Sequence, residues 1–126
     1  MNTAIIQARM GSTRLPGKIM FEACGESLFS LMLKRIKNSK KLDQIIVATT
    51  TNRNDDVIVN FCKSNNIDYF RGSENDVLSR YFDTAKFFSS DVIIRLTSDT
   101  PLLDSATIDT VISQYENNEY DFVSNQ

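Results

Sequence analysis

The sequence predicts an α/β fold, a three-layer α/β/α arrangement with a mainly parallel sheet between helices. Two observations carry that expectation. Short apolar runs rich in Ile, Val and Ala alternate with amphipathic stretches at helical spacing, strand then helix, along the whole chain. The polar clusters then fall just after the apolar runs, where parallel sheets bind their ligands. At 126 residues the chain reads as one domain, long enough to bury roughly two-thirds of its unfolded surface.

The elements follow in order. Ala4-Ile5-Ile6 centres a first strand from about Thr3 to Ala8, which runs into a loop that Pro16 and Gly17 close. Ile19-Met20-Phe21 is a short extended piece before a turn at Gly25. Ser27 is the expected N-cap of a helix to about Asn38, with Leu28, Leu31, Met32 and Ile36 as its apolar stripe. Lys34, Lys37, Lys40 and Lys41 crowd its C-terminal half, where they suit the helix dipole. Gln44 to Thr49 is the second strand. Asp55-Asp56 opens a helix that buries Ile58, Phe61 and Cys62. Ile67 to Phe70 is the third strand, and a helix from about Asp76 to Phe88 shows an aromatic stripe of Val77, Tyr81, Phe82, Ala85 and Phe88, expected in the core. Asp91 to Leu96 is the fourth strand. Asp104 is the expected cap of a helix from Ser105 to about Asn117, with Ile108, Val111, Ile112 and Tyr115 at helical spacing, and Asp121 to Ser124 reads as a fifth strand.

Composition removes several classes of function. The formal charge of −2 lacks the basic excess of a general nucleic-acid binder. No apolar run approaches the ~20 residues of a membrane helix, and the first residues have no signal-peptide pattern, so a cytoplasmic protein is expected. The absence of histidine excludes an imidazole base or a histidine metal ligand. Cys24 and Cys62 lack metal-type spacing and read as buried, reduced thiols.

The loop after the first strand concentrates chemistry. Arg9, Arg14 and Lys18 lie within ten positions, together with Gly11, Ser12, Thr13 and Gly17. Glycines let backbone N–H groups turn toward an anion, and the cations neutralise it, so phosphate is the natural guest. The common P-loop does not fit: five residues separate Gly11 from Gly17, and Ile19 follows Lys18 where a metal-binding hydroxyl belongs. No Gly-x-Gly-x-x-Gly dinucleotide fingerprint occurs either. Asp99, in Ser98-Asp99-Thr100-Pro101 beyond the fourth strand, is either a turn-initiating aspartate or a carboxylate for a hard divalent cation; a phosphate loop on a nearby strand favours the cation.

Arg9-Met10-Gly11-Ser12-Thr13-Arg14-Leu15-Pro16-Gly17-Lys18 resembles the signature loop of the cytidylyltransferases that make CMP-sugars. These are the CMP-Kdo and CMP-sialic acid (acylneuraminate) synthetases and their relatives in spore-coat polysaccharide biosynthesis. The likeness continues at Val47-Ala48-Thr49-Thr50, at Arg71-Gly72-Ser73-Glu74-Asn75-Asp76-Val77-Leu78 and at Arg95-Leu96-Thr97-Ser98-Asp99-Thr100-Pro101-Leu102, in the family's order.

The resemblance implies the nucleotide-diphospho-sugar transferase-like, Rossmann-like fold. It also implies attack of a sugar hydroxyl on the α-phosphate of CTP, with pyrophosphate released. Arg14 and Lys18 would then be catalytic, holding the β- and γ-phosphates. Ala8, Arg9, Gly11 and Ser12 would bind the nucleotide, and Arg71, Ser73 and Asp76 would contribute to base recognition, although Arg71 reads equally as a strand-end cation. Asp99 would carry Mg²⁺; Ser98 stands where the family's Gly-Asp-x-Pro block has glycine. The implied partners are CTP and a sugar acceptor, with no nucleic acid and no membrane, and a homodimer is compatible with the family. Family members are longer, and their second half supplies another metal-binding aspartate and most of the sugar pocket. Residues 1–126 are therefore expected to be the nucleotide-binding half of a transferase domain, truncated at the C-terminus. Two rivals stay open: a nucleotidyltransferase for GTP, UTP or ATP with another acceptor, and a binding or assembly module that has lost the chemistry.

Overall fold

A computed structural model of the chain describes residues 2–11, 22–23, 26–97 and 105–117. In chain order the elements are β1 (Asn2–Gln7), β2 (Glu22–Ala23), β3 (Glu26–Ser27), α1 (Leu28–Lys37), β4 (Gln44–Thr50), a 3₁₀ turn (Arg53–Asp55), α2 (Asp56–Ser64), β5 (Asp68–Gly72), α3 (Val77–Phe87), β6 (Val92–Thr97) and α4 (Ser105–Asn117). The expected cap at Asp104 and the fifth strand, Asp121 to Ser124, lie outside the described residues. The expected extended piece Ile19-Met20-Phe21 and the turn at Gly25 also lie outside the described residues. Beside them the described residues show a two-residue antiparallel pair, Glu22 opposite Ser27 and Ala23 opposite Glu26.

The main sheet has four strands, all parallel, in the order β5-β4-β1-β6. Its two central strands have no solvent-facing side. Thr3 to Ile6 of β1 and Ile46 to Thr50 of β4 are fully buried, which is why both segments read as continuous apolar runs. Side chains of a strand alternate between faces, and the two cores divide accordingly. Ile6 and Val47 pack with Phe29, Met32, Leu33 and Ile36 of α1, Ile58 and Cys62 of α2, and Ile108 and Ile112 of α4. Ile5 and Ala48 pack on the other face with Tyr81 and Ala85 of α3. The three layers predicted from sequence are present.

The helix stripes of α2 and α4 match expectation, while those of α1 and α3 are rotated. In α1 the buried set is Phe29, Met32, Leu33 and Ile36, an i, i+3, i+4, i+7 pattern, while Leu28 and Leu31 are only half-buried. In α2 Val59 joins Ile58 and Cys62, and Phe61 is half-buried with its ring 5.4 Å from that of Phe29. The aromatic stripe on α3 needs correction: Tyr81 and Ala85 are buried, Val77 and Phe88 are half-buried, and Phe82 is 65% exposed. The inward face of α3 is completed by Arg80 and Thr84, so Phe82 rotates outward. In α4 Ile108 and Ile112 are buried, with Val111 and Tyr115 half-buried.

Strand order positions the site. The chain moves from β1 outward to β4 and β5, then returns through α3 to β6 on the other side of β1. The order thus reverses at β1, and in open parallel sheets the crevice beyond the carboxyl ends at that switch is where ligands bind. Gln7 at the end of β1 lies opposite Thr97 at the end of β6.

Candidate functional site

The end of β1 is pinned on both sides. Ala8 is fully buried and its N–H donates to the Ala48 carbonyl at 3.0 Å, extending the ladder one residue past the strand. Arg9 and Gly11 are exposed. A Cβ on Gly11 would lie 3.6 Å from Arg9 Nη1, so the guanidinium rests beside the glycine backbone. Between them, Met10 N–H donates to Asp55 Oδ1 at 2.7 Å. Thr50 Oγ1 donates to the other oxygen of the same carboxylate and accepts from Asn52 N–H at 3.1 Å. Asp55 is only 3% exposed. Read from sequence as an acid at a helix start, it makes no capping bond to α2 and braces the β1 exit instead.

The exits of β4 and β5 are tied to each other by Arg71. Its Nε donates to the Thr50 carbonyl at 2.7 Å and its Nη2 to the Asn52 carbonyl at 2.8 Å, while Nη1 pairs with Asp56 at 2.8 Å. Asn52 Nδ2 reaches the Glu74 carboxylate at 3.1 Å. Ser73 and Asp76 organise the start of α3: Asp76 N–H donates to Ser73 Oγ at 3.1 Å, and Asp76 Oδ1 accepts from Ser79 N–H at 3.0 Å as the helix N-cap. The sheet therefore brings together Ala8, Arg9, Gly11, Arg71, Ser73 and Asp76 at its carboxyl end. Ser12, Arg14, Lys18 and Asp99 lie outside the described residues, but the strands that lead into them, β1 and β6, are adjacent.

Arg80 is the residue that sequence reading missed. It is fully buried on α3, and its Nη1 donates to the Ser73 carbonyl at 3.3 Å. Among the described residues its Nε and Nη2 have no hydrogen-bond partner. Burial chiefly, and the charge of Arg9 after it, hold the guanidinium below arginine's ordinary pKa. The signal was a cation at helical spacing within the apolar set Val77, Tyr81 and Ala85.

A family model described as cytidylyltransferase matches residues 3–126. The chain belongs to the cytidylyltransferase family. It is 35% identical over 127 residues to the spore coat polysaccharide biosynthesis protein SpsF of Bacillus subtilis, covering 96% of this chain and 53% of that protein. It is 31% identical over 119 residues to the 3-deoxy-manno-octulosonate cytidylyltransferase of Chlamydia trachomatis, covering 90% of this chain and 45% of that protein. The solved structure of a cytidylyltransferase from Leptospira borgpetersenii superposes with a TM-score of 0.89 at 42% identity, over 94% of this chain and 50% of that one. The chain spans about half the length of the relatives it matches.

For a cytidylyltransferase-family chain the donor set bears on metal binding. Among the described residues, no three carboxylates or thiols are grouped to hold a cation. Asp99, the carboxylate expected to carry one, is not among them. A hard divalent cation can be held by one or two carboxylates with substrate phosphates and water completing its shell, so a closed protein cage is not required.

Proposed function

We propose that residues 1–126 form the nucleotide-binding half of a cytidylyltransferase that binds CTP with a divalent cation and passes CMP to a sugar hydroxyl, releasing pyrophosphate. The observation that carries this reading is the pairing of β1 with β6, which ends with Gln7 opposite Thr97. The run Arg9 to Lys18 and the segment holding Asp99 therefore leave the sheet from neighbouring strands at the switch point. A triphosphate and its metal need cations and a carboxylate within reach of one another, because nucleotidyl transfer depends on positioning and charge neutralisation.

In this reading Arg14 and Lys18 hold the β- and γ-phosphates, and Arg9 with the Gly11 and Ser12 backbone binds the nucleotide. Asp99 offers its carboxylate to Mg²⁺, whose bound charge would offset that of the phosphates. The segment from Arg71 to Asp76 forms the wall on the base side. Family membership and the likeness to SpsF and to the chlamydial enzyme support CTP and a surface-polysaccharide sugar as substrates. The full reaction belongs to the longer protein that the relatives represent, in the cytoplasm and free of nucleic acid and membrane.

The test is a thermal-shift panel of CTP, UTP, GTP and ATP with Mg²⁺, followed by pyrophosphate release with CTP and a set of acidic and amino sugars. Preferential binding raises stability by mass action, about 2.7 kcal/mol at a hundredfold excess over Kd. A rise in Tm with CTP above the other nucleotides is the expected result. Equal shifts with all four would replace cytidylyl transfer with a less selective chemistry, and no shift with any would leave an assembly module.

A further inference from the structure

We propose that Arg80 is a pre-positioned phosphate-binding residue of the nucleotide site, receiving two oxygens of one phosphate on its Nε and Nη2 edge with Arg9 alongside. The inference rests on the nucleotide-binding reading above and assigns a residue and a group to it.

Three observations meet at this side chain. The two unpartnered nitrogens, Nε and Nη2, form the side-on fork of the guanidinium, whose parallel N–H groups match two oxygens of a phosphate or carboxylate. The opposite nitrogen is already used, donating to Ser73 O, which fixes the direction of the fork. The stem is seated against Gly72, where a Cβ would come within 3.1 Å of Arg80 Cγ. Any larger residue at position 72 would push the arginine stem aside by a few tenths of an ångström.

The surroundings then select the ligand. A fully buried guanidinium with open donors is costly unless an anion completes it. The carboxylates whose charge Arg80 feels are committed elsewhere: Asp55 to Met10 and Thr50, Glu74 to Asn52. Arg9 adds a second positive charge. Two guanidinium groups with no uncommitted carboxylate beside them among the described residues suit an anion of more than one charge, and phosphate fits better than a sugar carboxylate. The bond to the Ser73 carbonyl places the buried guanidinium at the carboxyl end of β5, where Ser73 and Glu74 are exposed, as is Arg9. Donors fixed before the ligand arrives lose little freedom on binding.

The experiment is calorimetric titration of the full chain with inorganic pyrophosphate and with CTP, on wild type, Arg80→Met and Arg80→Lys, with thermal midpoints measured on all three without ligand. Pyrophosphate affinity should fall about tenfold or more in both variants, because lysine offers a point charge and not a fork. Arg80→Met should unfold at the same or a higher temperature, since it removes an uncompensated buried charge. A purely structural arginine gives the opposite pattern, a lower midpoint with unchanged anion affinity, and that pattern overturns the proposal. So does a wild-type protein that binds no pyrophosphate. If pyrophosphate binding depends on Arg80 but CTP binds no better than other nucleotides, the phosphate site stands while the cytidylyl reading fails.

Discussion

Met10 N–H donates to Asp55 Oδ1 at 2.7 Å across 45 positions of sequence, and through that bond the turn before α2 decides where the loop after β1 begins. The carboxylate is buried and receives Thr50 Oγ1 on its second oxygen, so both ends of the link are anchored in the sheet. Ala8 N–H to Ala48 O then holds the preceding residue in register. A cationic loop attached to a movable stem could not present its charges to one point.

Asp55→Ala removes both bonds and leaves Met10 N–H and the Thr50 hydroxyl in search of partners. Urea denaturation should show a loss of about 2 kcal/mol, the usual cost of stranding buried groups that a charged acceptor had satisfied. Hydrogen exchange at the Met10 amide should accelerate more than at Ile5, which sits within the ladder. Equal acceleration at both would mean the variant loosens the whole sheet and that the bond has no local role.

Arg71 gives a test that separates bracing from ligand contact. Its guanidinium already serves two carbonyls and the Asp56 carboxylate. Arg71→Lys cannot span Thr50 O and Asn52 O together, and should cost about 1–2 kcal/mol in stability. If the side chain acts by holding the β4 and β5 exits together, CTP affinity in Arg71→Lys should change by less than about threefold, which is below 1 kcal/mol. A tenfold or greater loss with unchanged stability would instead assign Arg71 to the base.

Cys62 is buried in the α2 face of the core, and burial pushes its thiol up to about 12. At pH 8 the thiol therefore stays protonated and shielded from solvent. Native protein treated with iodoacetamide and digested should show no alkylation at Cys62, and labelling should appear only as urea unfolds the chain. Rapid labelling of the folded protein would contradict the burial.

The sheet was legible because its central strands are buried on both faces. Ala4-Ile5-Ile6 and Ile45-Ile46-Val47-Ala48 leave no polar position to confuse with a helix. Ser27 was legible as a cap and accepts from Ser30 N–H, whereas Asp76, expected as the first helical residue, is itself the cap and accepts from Ser79 N–H. The helix faces were less so. Phe82 and Leu78 are apolar yet 65% and 67% exposed, while Arg80 and Thr84 of the same helix are buried. Helical spacing does put Arg80 on the inward side with Val77, Tyr81 and Ala85, but periodicity does not say what a buried guanidinium meets there. Asp55 escaped for a related reason: its partners, Met10 and Thr50, come from two other segments, and a helix-start aspartate has an adequate local explanation. Such residues carry long-range polar contacts, which have no period.

The junction of α1 with α4 makes a prediction in pH. Asp109 of α4 receives the Ser39 hydroxyl, Lys40 N–H at 3.0 Å and Lys41 N–H at 3.2 Å, capping the chain as it leaves α1. Burial alone would raise its pKa, but the hydrogen bonds from Ser39, Lys40 and Lys41 and the charge of Lys41 together outweigh it and hold the carboxyl below its ordinary value. A carboxyl depressed on folding contributes stability that is complete above its unfolded pKa, about 3.9, and is lost as pH falls through the lower folded value. Asp109→Asn should therefore be less stable than wild type at pH 7, by under about 1 kcal/mol because solvent screens so exposed a carboxylate, with the gap closing in the acid range as wild-type Asp109 takes up its proton. Urea denaturation of both proteins from pH 7 down to about pH 3 measures the gap directly, and the difference cancels the titration of every other carboxylate. A gap that stays constant across the range would show that asparagine fails by its amide geometry, with the charge contributing nothing.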